Sequence, residues 1–198
     1  MGIATQIPAN TFNELQMDAG ILLSSYDISK PFDIDNKAII TATTGGIKPS
    51  TKPSYSDLGE DVDNCPANMK ELMHLDSTEC TIAGTGLGFN KEFLKLVLGS
   101  ADIQDNAVIP RTTLKQDDFT DIWWVGDIAN GGLGVIQLKN ALSTDGLSLQ
   151  STKNGKGQIS FTFKGHFSLE NQTEVPMKYY VIPPATQASA KKAPTQQG

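Results

Sequence analysis

Basic side chains are scarce in this chain, and arginine is almost missing. The 198 residues carry 16 Lys and Arg against 22 Asp and Glu, a net charge of −6, and Arg111 is the single arginine. Without the last fourteen residues, which hold Lys191 and Lys192, 14 basic groups face 22 acidic ones and the net charge is −8. Because Lys and Arg contacts to phosphates provide most non-specific affinity for DNA, we do not expect this protein to grip nucleic acid.

Cysteine and histidine are also few. Cys65 and Cys80 are fifteen positions apart with no C-x-x-C motif, and only His74 and His166 could join them around a metal ion. This spacing does not fit a zinc site, so we expect reduced thiols, no metal and no cofactor. His166 falls on the polar side of a predicted strand and is expected at a surface or an interface, and His74 is expected to be half-buried.

Long apolar runs are absent. No stretch approaches the roughly 18 apolar residues needed to cross a bilayer, so no membrane segment is expected. The first residues have neither a basic segment nor an apolar one of the kind a signal peptide needs, and we expect a protein that is made and at first kept in a cytoplasm. Aromatic residues make up only 7% of the chain, while Gly, Thr and Ser are frequent, a composition that favours β-structure.

A glycine run imitates a nucleotide-binding loop. In "TIAGTGLGFNKEF", Gly84, Gly86 and Gly88 stand between a predicted strand and a predicted helix. A Rossmann fingerprint is G-x-G-x-x-G, and here the third glycine comes one residue early. Such a fold also needs parallel strands, whereas the later strands are joined by short turns and must be antiparallel. We therefore interpret the glycines as a bulge or a close backbone approach at a strand end.

The organisation predicted from the pattern is one domain with two extensions. Residues 1–13 are polar and are predicted to form an N-terminal arm, 14–184 the domain, and 185–198 a flexible tail. Within the domain, a Pro-rich and acidic stretch predicts a long loop at about 45–68. A helix is predicted over 90–99, because Asn90 can cap its start, its apolar residues form one stripe, and Gly99 can end it.

The second half is predicted to be a meander of four antiparallel strands. Its turns contain Asn-Gly and Asp-Gly pairs, which suit tight hairpins. In the last strand Ile159, Phe161, Phe163 and Phe167 point to one side, which predicts one buried and one wet face. The fold class expected is mainly β (α+β): an antiparallel β-sandwich or barrel with one flanking α-helix.

No arrangement of residues indicates an enzyme. There is no G-x-S-x-G motif, and Asp117 and Asp118 are more simply a local turn or cap than a catalytic pair. The acidic run "DLGEDVDN" offers oxygen ligands for Ca²⁺ but lacks the order of an EF-hand loop. A solvated charged loop is the simpler interpretation, and a subunit contact is a further possibility.

Four longer strings resemble one family when they are taken together: "NELQMDAGILLSSYD", "ITATTGGIKPSTKPSYSDLGEDVDNCPANMKEL", "DDFTDIWWVGD" and "GKGQISFTFKGHFSLE". They resemble, in order and over about residues 12–182, the major tail tube proteins of phages with long non-contractile tails. The resemblance implies a small β-sandwich or barrel with a flanking helix. It also implies six-membered rings that stack into a hollow tube, through which DNA passes from capsid to host without specific binding.

By the same resemblance, the inner sheets of six subunits join around the lumen, while the N-terminal arm, the long loop and the C-terminal segment tie ring to ring. The interface candidates that follow are Asp57, Glu60, Asp61, Asp63, Asn64 and Phe12. The partners implied are further copies of the chain and the tape measure, tail terminator and distal tail proteins. The location implied is the virion, after assembly in the bacterial cytoplasm.

Two other functions stay open at the level of sequence. A carbohydrate- or protein-binding β-sandwich would present aromatic side chains on loops, whereas Trp123 and Trp124 stand within a predicted strand. A secretion-system tube protein would share the fold and the ring, and only the strings above speak against it.

Overall fold

A computed structural model of the chain describes residues 7–185. The expected tail at 185–198 and the first half of the expected arm therefore lie almost wholly outside the described residues. The described chain forms ten strands and one α-helix. In order they are β1 Gln16–Leu23, β2 Thr43–Asp57, β3 Met73–Gly86, α1 Lys91–Leu98, β4 Ala101–Gln104, β5 Ala107–Pro110, β6 Thr120–Ile128, β7 Leu133–Ser143, β8 Ser148–Gln150, β9 Gln158–Gly165 and β10 Met177–Ile182.

Eight of these strands form one antiparallel sheet, with β4 and β5 as a separate hairpin. The main path through the sheet is β1-β6-β7-β9-β3-β2, while β10 pairs with β7 and β8 pairs with β9. Every pairing is antiparallel. The predicted fold class, mainly antiparallel β with one α-helix, is confirmed.

Strand β7 is where the sheet forks. One of its edges pairs with β6, while the other is shared: residues 133–138 pair with β10, and 141–143 pair with β9. The chain between β9 and β10, residues 166–176, loops out. Strands β9 and β10 therefore run in line along the same edge of β7.

The predicted meander differs at its third strand. Residues 158–160 of β9 pair with β8, whereas 163–165 pair with β7 on that same side, opposite β3. Strand β8 thus prolongs β7 instead of lying between β7 and β9. Strand β9 ends at Gly165, so that Phe167, expected on its buried face, lies beyond the strand and is 48% exposed.

The main core lies inside this curled sheet and against the helix. Its largest fully buried side chains include Phe93 of α1 and Phe161 and Phe163 of β9. The rings of Phe93 and Phe161 meet edge to face with 5.8 Å between centroids. Helix and sheet are therefore joined through aromatic contacts.

The glycine run makes room for these rings. A Cβ at Gly84 would stand 2.8 Å from Cζ of Phe161, and one at Gly86 would stand 2.6 Å from Cζ of Phe93. Neither glycine has a positive φ, so space and not backbone freedom requires glycine there. This agrees with the close approach expected from the sequence.

A second apolar cluster covers the opposite face of β1, β6, β7 and β10. Trp123 and Trp124 are adjacent in β6 and point to opposite sides, so Trp124 enters the main core and Trp123 enters this cluster. Tyr26 and Tyr180 pack on Trp123, with ring centroids 5.6 and 6.3 Å away. Part of the sheet is thus buried on both faces.

Helix α1 begins and ends where its sequence indicates. The Asn90 side chain accepts a hydrogen bond from the Phe93 amide at 2.8 Å. Gly99, with φ of 76°, donates its amide to the carbonyls of Lys95 and Leu96. These interactions satisfy groups that a short helix leaves without partners.

The loop expected over 45–68 is wrong for its first half. Residues 43–57 form β2, one of the longest strands, and only 58–72 lie outside regular strands. Pro49 and Pro53 suggested a loop, but β2 is the last strand of the sheet, and an edge strand tolerates proline where the missing N–H would face outward. Strand β2 begins at Thr43, after a single 3-10 turn at Asn36–Ala38.

The β4–β5 hairpin is held to the body by the single arginine. Arg111 pairs with Asp102 through Nε at 2.9 Å and with Asp118, whose side chain is only 2% exposed. Asp118 also accepts a hydrogen bond from the Lys115 amide at 2.7 Å. Asp118 is therefore a structural anchor, in agreement with a local cap.

Replacing Gly86 with Ala should destabilise the fold, because the new methyl overlaps the buried Phe93 ring. We expect a loss of about 1–3 kcal/mol in the free energy of unfolding, measured by urea denaturation. Gly157→Ala is the matched control, because its Cβ would meet only Cδ1 of Leu149, at 3.5 Å. Equal stability of the two variants would contradict a tight glycine–phenylalanine contact.

Candidate interaction surfaces

The five polar interface candidates lie together at the end of a projecting hairpin. Asp57 is the last residue of β2, and Glu60, Asp61, Asp63 and Asn64 follow in the turns that lead back to β3. We call residues 58–72 the tip. Glu60, Asp61 and Asp63 are exposed and form no ion pair with any residue of 7–185.

Asp57 organises the tip from within. Its Oδ1 accepts the Gly59 amide at 2.9 Å, and its Oδ2 accepts the Asn68 amide at 2.7 Å. The hydrogen bonds from Asn68 and then Gly59 hold the pKa of Asp57 below its ordinary value. Of the predicted interface residues, Asp57 thus has an evident role inside the subunit.

The tip is folded around a small contact of its own. Gly59 is buried, and a Cβ there would stand 2.7 Å from Cδ1 of Leu72 and 2.8 Å from Sγ of Cys65. The Leu58 amide donates to the Leu72 carbonyl at 3.0 Å. Asn64 has a φ of 61°, a conformation that asparagine tolerates better than most residues.

Phe12 belongs to another segment of the chain. It lies in a single 3-10 turn at Thr11–Asn13, just before β1, and its side chain is 68% exposed. The predicted candidates therefore come from two segments, the tip and the turn before β1.

Below the tip, β2 and β3 form a ribbon that pairs with no third strand and touches β10 at its base, where Thr51 Oγ1 shares a hydrogen bond with the Tyr179 hydroxyl. Strand β9 pairs with β3 only from Thr81 onward, so Met73–Cys80 pairs with β2 alone. We call this ribbon and its tip the arm, a segment different from the N-terminal residues 1–13. Eight residues of strand at about 3.3 Å each make it roughly 26 Å long. A two-stranded ribbon is marginally stable in water by itself.

The arm displays apolar side chains that its own subunit does not cover. Tyr55 and Leu75 are directly opposite each other across the two strands and are 58% and 50% exposed. Met73, two residues before Leu75, and Leu58 in the tip are exposed as well. Contiguous exposed apolar surface of this kind is typical of contact sites.

The free edge of β2 is guarded against further strand pairing. Pro49 and Pro53 are four residues apart and so direct their missing N–H groups to the same side, away from β3. Lys48 and Lys52 stand beside them, and edge prolines and lysines are common devices against uncontrolled strand addition. Strand β1 has an irregular edge instead, with positive φ at Asp18 and Gly20 and a register shift against β6.

Strand β10 has a regular edge without proline or lysine at its outward positions, and the base of the arm lies beside it, since the Tyr179 hydroxyl shares a hydrogen bond with Thr51 of β2. The Lys139 amide donates to the Pro176 carbonyl at 2.9 Å, which fixes the alternation of the ladder with β7. Tyr179 and Val181 therefore point their backbone N–H and C=O groups outward. Their side chains are 57% and 82% exposed.

His166 takes part in a local hydrogen-bond network. His166 Nδ1 lies 3.1 Å from the Asn140 carbonyl oxygen, and the ring packs edge-on against Phe119. The Asn140 amide donates to Oδ1 of Asp121 at 3.0 Å. His74, expected to be half-buried, is exposed on the arm because its strand has no partner on that side.

Within residues 7–185, no group of three or more His, Cys, Asp or Glu side chains is placed to hold a metal ion. In the same part of the chain, no helix is long and apolar enough to cross a membrane. Cys65 and Cys80 are free thiols, and burial raises the pKa of Cys80.

Comparison with known proteins gives weak matches only. No family model and no curated protein matches the chain. Among solved structures, one chain of the virion of a native gene transfer agent particle is 9% identical, with a TM-score of 0.43; the match covers 82% of this chain and 95% of that one. A chain from the tail of an empty gene transfer agent particle, refined with C6 helical symmetry, is 9% identical with a TM-score of 0.41, over 76% and 92% of the two chains. Likenesses at this level do not assign the chain to a family.

Sequence reasoning missed the apolar half of the arm and the edge of β10 as contact surfaces. Tyr55 lies in the first half of the stretch expected as a loop, and Leu75 lies in the strand predicted before the glycine run, for which no exposed apolar face was predicted. The available signal was alternation: Met73 and Leu75 share one face of β3, opposite Asp57 and Tyr55, before a shift of register and the buried Cys80.

Replacing Asp57 with Ala should loosen the tip while leaving the body intact, since both carboxylate hydrogen bonds are lost far from the main core. We expect a protease to cleave within 58–72 faster than in wild type. The rate of cleavage in the rest of the chain should not change. Asp61→Ala removes the same charge and is the control. Equal cleavage of the two variants would contradict the organising role of Asp57.

The same contacts predict a pH dependence. Because the pKa of folded Asp57 lies below that of the unfolded chain, ionised Asp57 stabilises the tip above about pH 4. That contribution is lost as the pH falls through the lowered pKa. In NMR titrations, the Gly59 and Asn68 amide shifts should therefore move with a midpoint below the ordinary aspartate value.

Proposed function

We propose that this protein is the structural subunit of a phage tail tube, in which rings of six copies stack into a hollow conduit for DNA. The family strings in the sequence suggest this function. The observation that carries it in the structure is the arm, a ribbon with exposed apolar side chains that a lone subunit leaves in water. Such a ribbon gains support when a neighbouring copy covers it.

Ring formation needs a second, lateral contact, and the β10 edge is suited to it. A strand of a neighbouring subunit placed along β10 would pair the outward backbone groups of Tyr179 and Val181 and cover their side chains. The guarded edge of β2 and the irregular edge of β1 limit pairing elsewhere.

Charge fits the passage of DNA. Each copy contributes a net charge of −6, and the sign is the same as that of the phosphate backbone. An acidic lumen repels DNA, so the molecule slides through without adhering. The protein acts in the virion after assembly in the host cytoplasm, and its end rings contact the tape measure, tail terminator and distal tail proteins.

The arm can be tested by replacing residues 59–71 with Asn-Gly. The Leu58 amide donates to the Leu72 carbonyl, so these two residues form the hydrogen-bonded pair that a two-residue turn closes. In electron micrographs, the concentrated wild-type protein should form rings or tubes with a central hole, and the shortened variant should remain a folded subunit. Dispersed wild-type monomers at every concentration would contradict the proposed function.

The lateral contact can be tested at Val181. Val181→Pro removes one outward N–H but keeps the ladder to β7, since that ladder uses Tyr180 and Ile182. We expect a thermal midpoint close to that of wild type and loss of rings in sedimentation velocity. Val181→Thr keeps the N–H and is the control. Rings from the proline variant as abundant as those of wild type would show that β10 is not the lateral edge.

A further inference from the structure

A groove beside helix α1 carries a small excess of unpaired lysines, the charge opposite to that of the tip. It encloses about 530 Å³, and Lys91 and Lys95, one turn apart on α1, line it together with Lys37 from the 3-10 turn before β2. None of the three forms an ion pair with a carboxylate in residues 7–185. Lys91 donates only to the Asp105 carbonyl, at 2.8 Å.

The floor of this groove is partly apolar. Ile39, which is 37% exposed, and the half-buried Leu96 line it. Three carboxylates line it too, but Asp118 is already bound by Arg111, so Glu92 and Asp117 are the free ones. Unpaired lysines thus outnumber unpaired carboxylates around an apolar surface.

The tip presents the complementary set. Glu60, Asp61 and Asp63 have no ion-pair partner in the described chain, and Leu58 and Val62 beside them are 64% and 57% exposed. Acidic groups around apolar side chains match lysines around an apolar floor. Charge complementarity of this kind steers association and fixes register.

Other unpaired lysines are placed less favourably. Lys48 and Lys52 stand along the guarded edge of β2, Lys30 is exposed in the segment between β1 and β2, and Lys153 and Lys156 lie in an exposed turn. The groove is where lysines from two separate segments meet over apolar side chains.

We infer that the groove beside α1 receives the arm tip of a second copy of this chain, an inference that rests on the proposed function. The tip ends β2 and β3, whereas the groove lies between α1 and the segment before β2, so tip and groove are different surfaces of one subunit. Contact between unlike surfaces repeats from copy to copy and continues as an open stack when the repeat does not close into a ring.

Charge reversal tests the pairing. The double variant Lys37→Glu, Lys91→Glu should raise the concentration needed for tube formation by roughly tenfold or more, measured by light scattering and confirmed in micrographs. A glutamate at position 91, the first of the helix, suits that terminus, so folding should be preserved. The control is Lys153→Glu, Lys156→Glu, which changes the net charge equally and should assemble like wild type.

Reversal of the tip completes the experiment. Asp61→Lys, Asp63→Lys should also impair assembly, and combining it with the groove variant should restore tubes at least in part. The inference is overturned if the groove variant assembles like its control, or if the combined variant is as poor as either alone. Each variant is compared with wild-type protein that forms tubes under the same conditions. If the wild-type protein forms no tubes, the proposed function itself is refuted.

Discussion

Strand β7 has two edges, and three strands pair with them. Strand β6 takes one edge, and β9 and β10 divide the other between residues 141–143 and 133–138. Because β10 occupies the place into which β9 would extend, β9 ends at Gly165. The outer half of β3 is then left with β2 as its single partner. The projecting arm is therefore a direct consequence of how one edge of β7 is divided.

The same division determines which parts of the sheet are buried within the subunit and which stay exposed. Around β7 the sheet is buried on both faces, with Trp124 in one cluster and Trp123 in the other. Away from β7, the two strands of the arm pair with each other, and Tyr55 and Leu75 are exposed. The tip is ordered by Asp57 and by the close approach of Gly59 to Leu72 and Cys65. Rigidity is concentrated at the fork, and contact surface is concentrated at the periphery, an arrangement suited to a subunit that keeps its shape while neighbours cover its extremities.

The helix ends and the buried face of β9 were predicted correctly from the sequence, because each depends on residues close together in the chain. Asn90 and Gly99 mark the helix because they satisfy its own backbone, and the alternation of Ile159, Phe161 and Phe163 reports one buried face. Pro49 and Pro53 led to the wrong prediction of a loop. Proline is excluded from a central strand but not from an edge strand, and the sequence does not show which strand lies at the edge of the sheet. The fork was equally hidden, since no local pattern records that β9 and β10 share one edge.

The interface candidates show the same limit. The acidic residues of the tip were found because charge is visible in sequence, but the task of Asp57 inside the tip depends on amides two and eleven residues away along the chain. The groove was not found at all, since its lysines come from a turn and a helix more than fifty residues apart and only the fold brings them together.

An arm that leaves the body beyond one end of β9 makes the subunit directional. In the proposed assembly, copies joined through the arm would all point the same way, so the stack would have two chemically different ends: at one the last arms would have nothing to enter, and at the other the last receiving surfaces would stay empty. Growth could then start and stop at separate places under separate control. A protein that covers arms and a protein that offers them would suffice to define the length of the whole assembly.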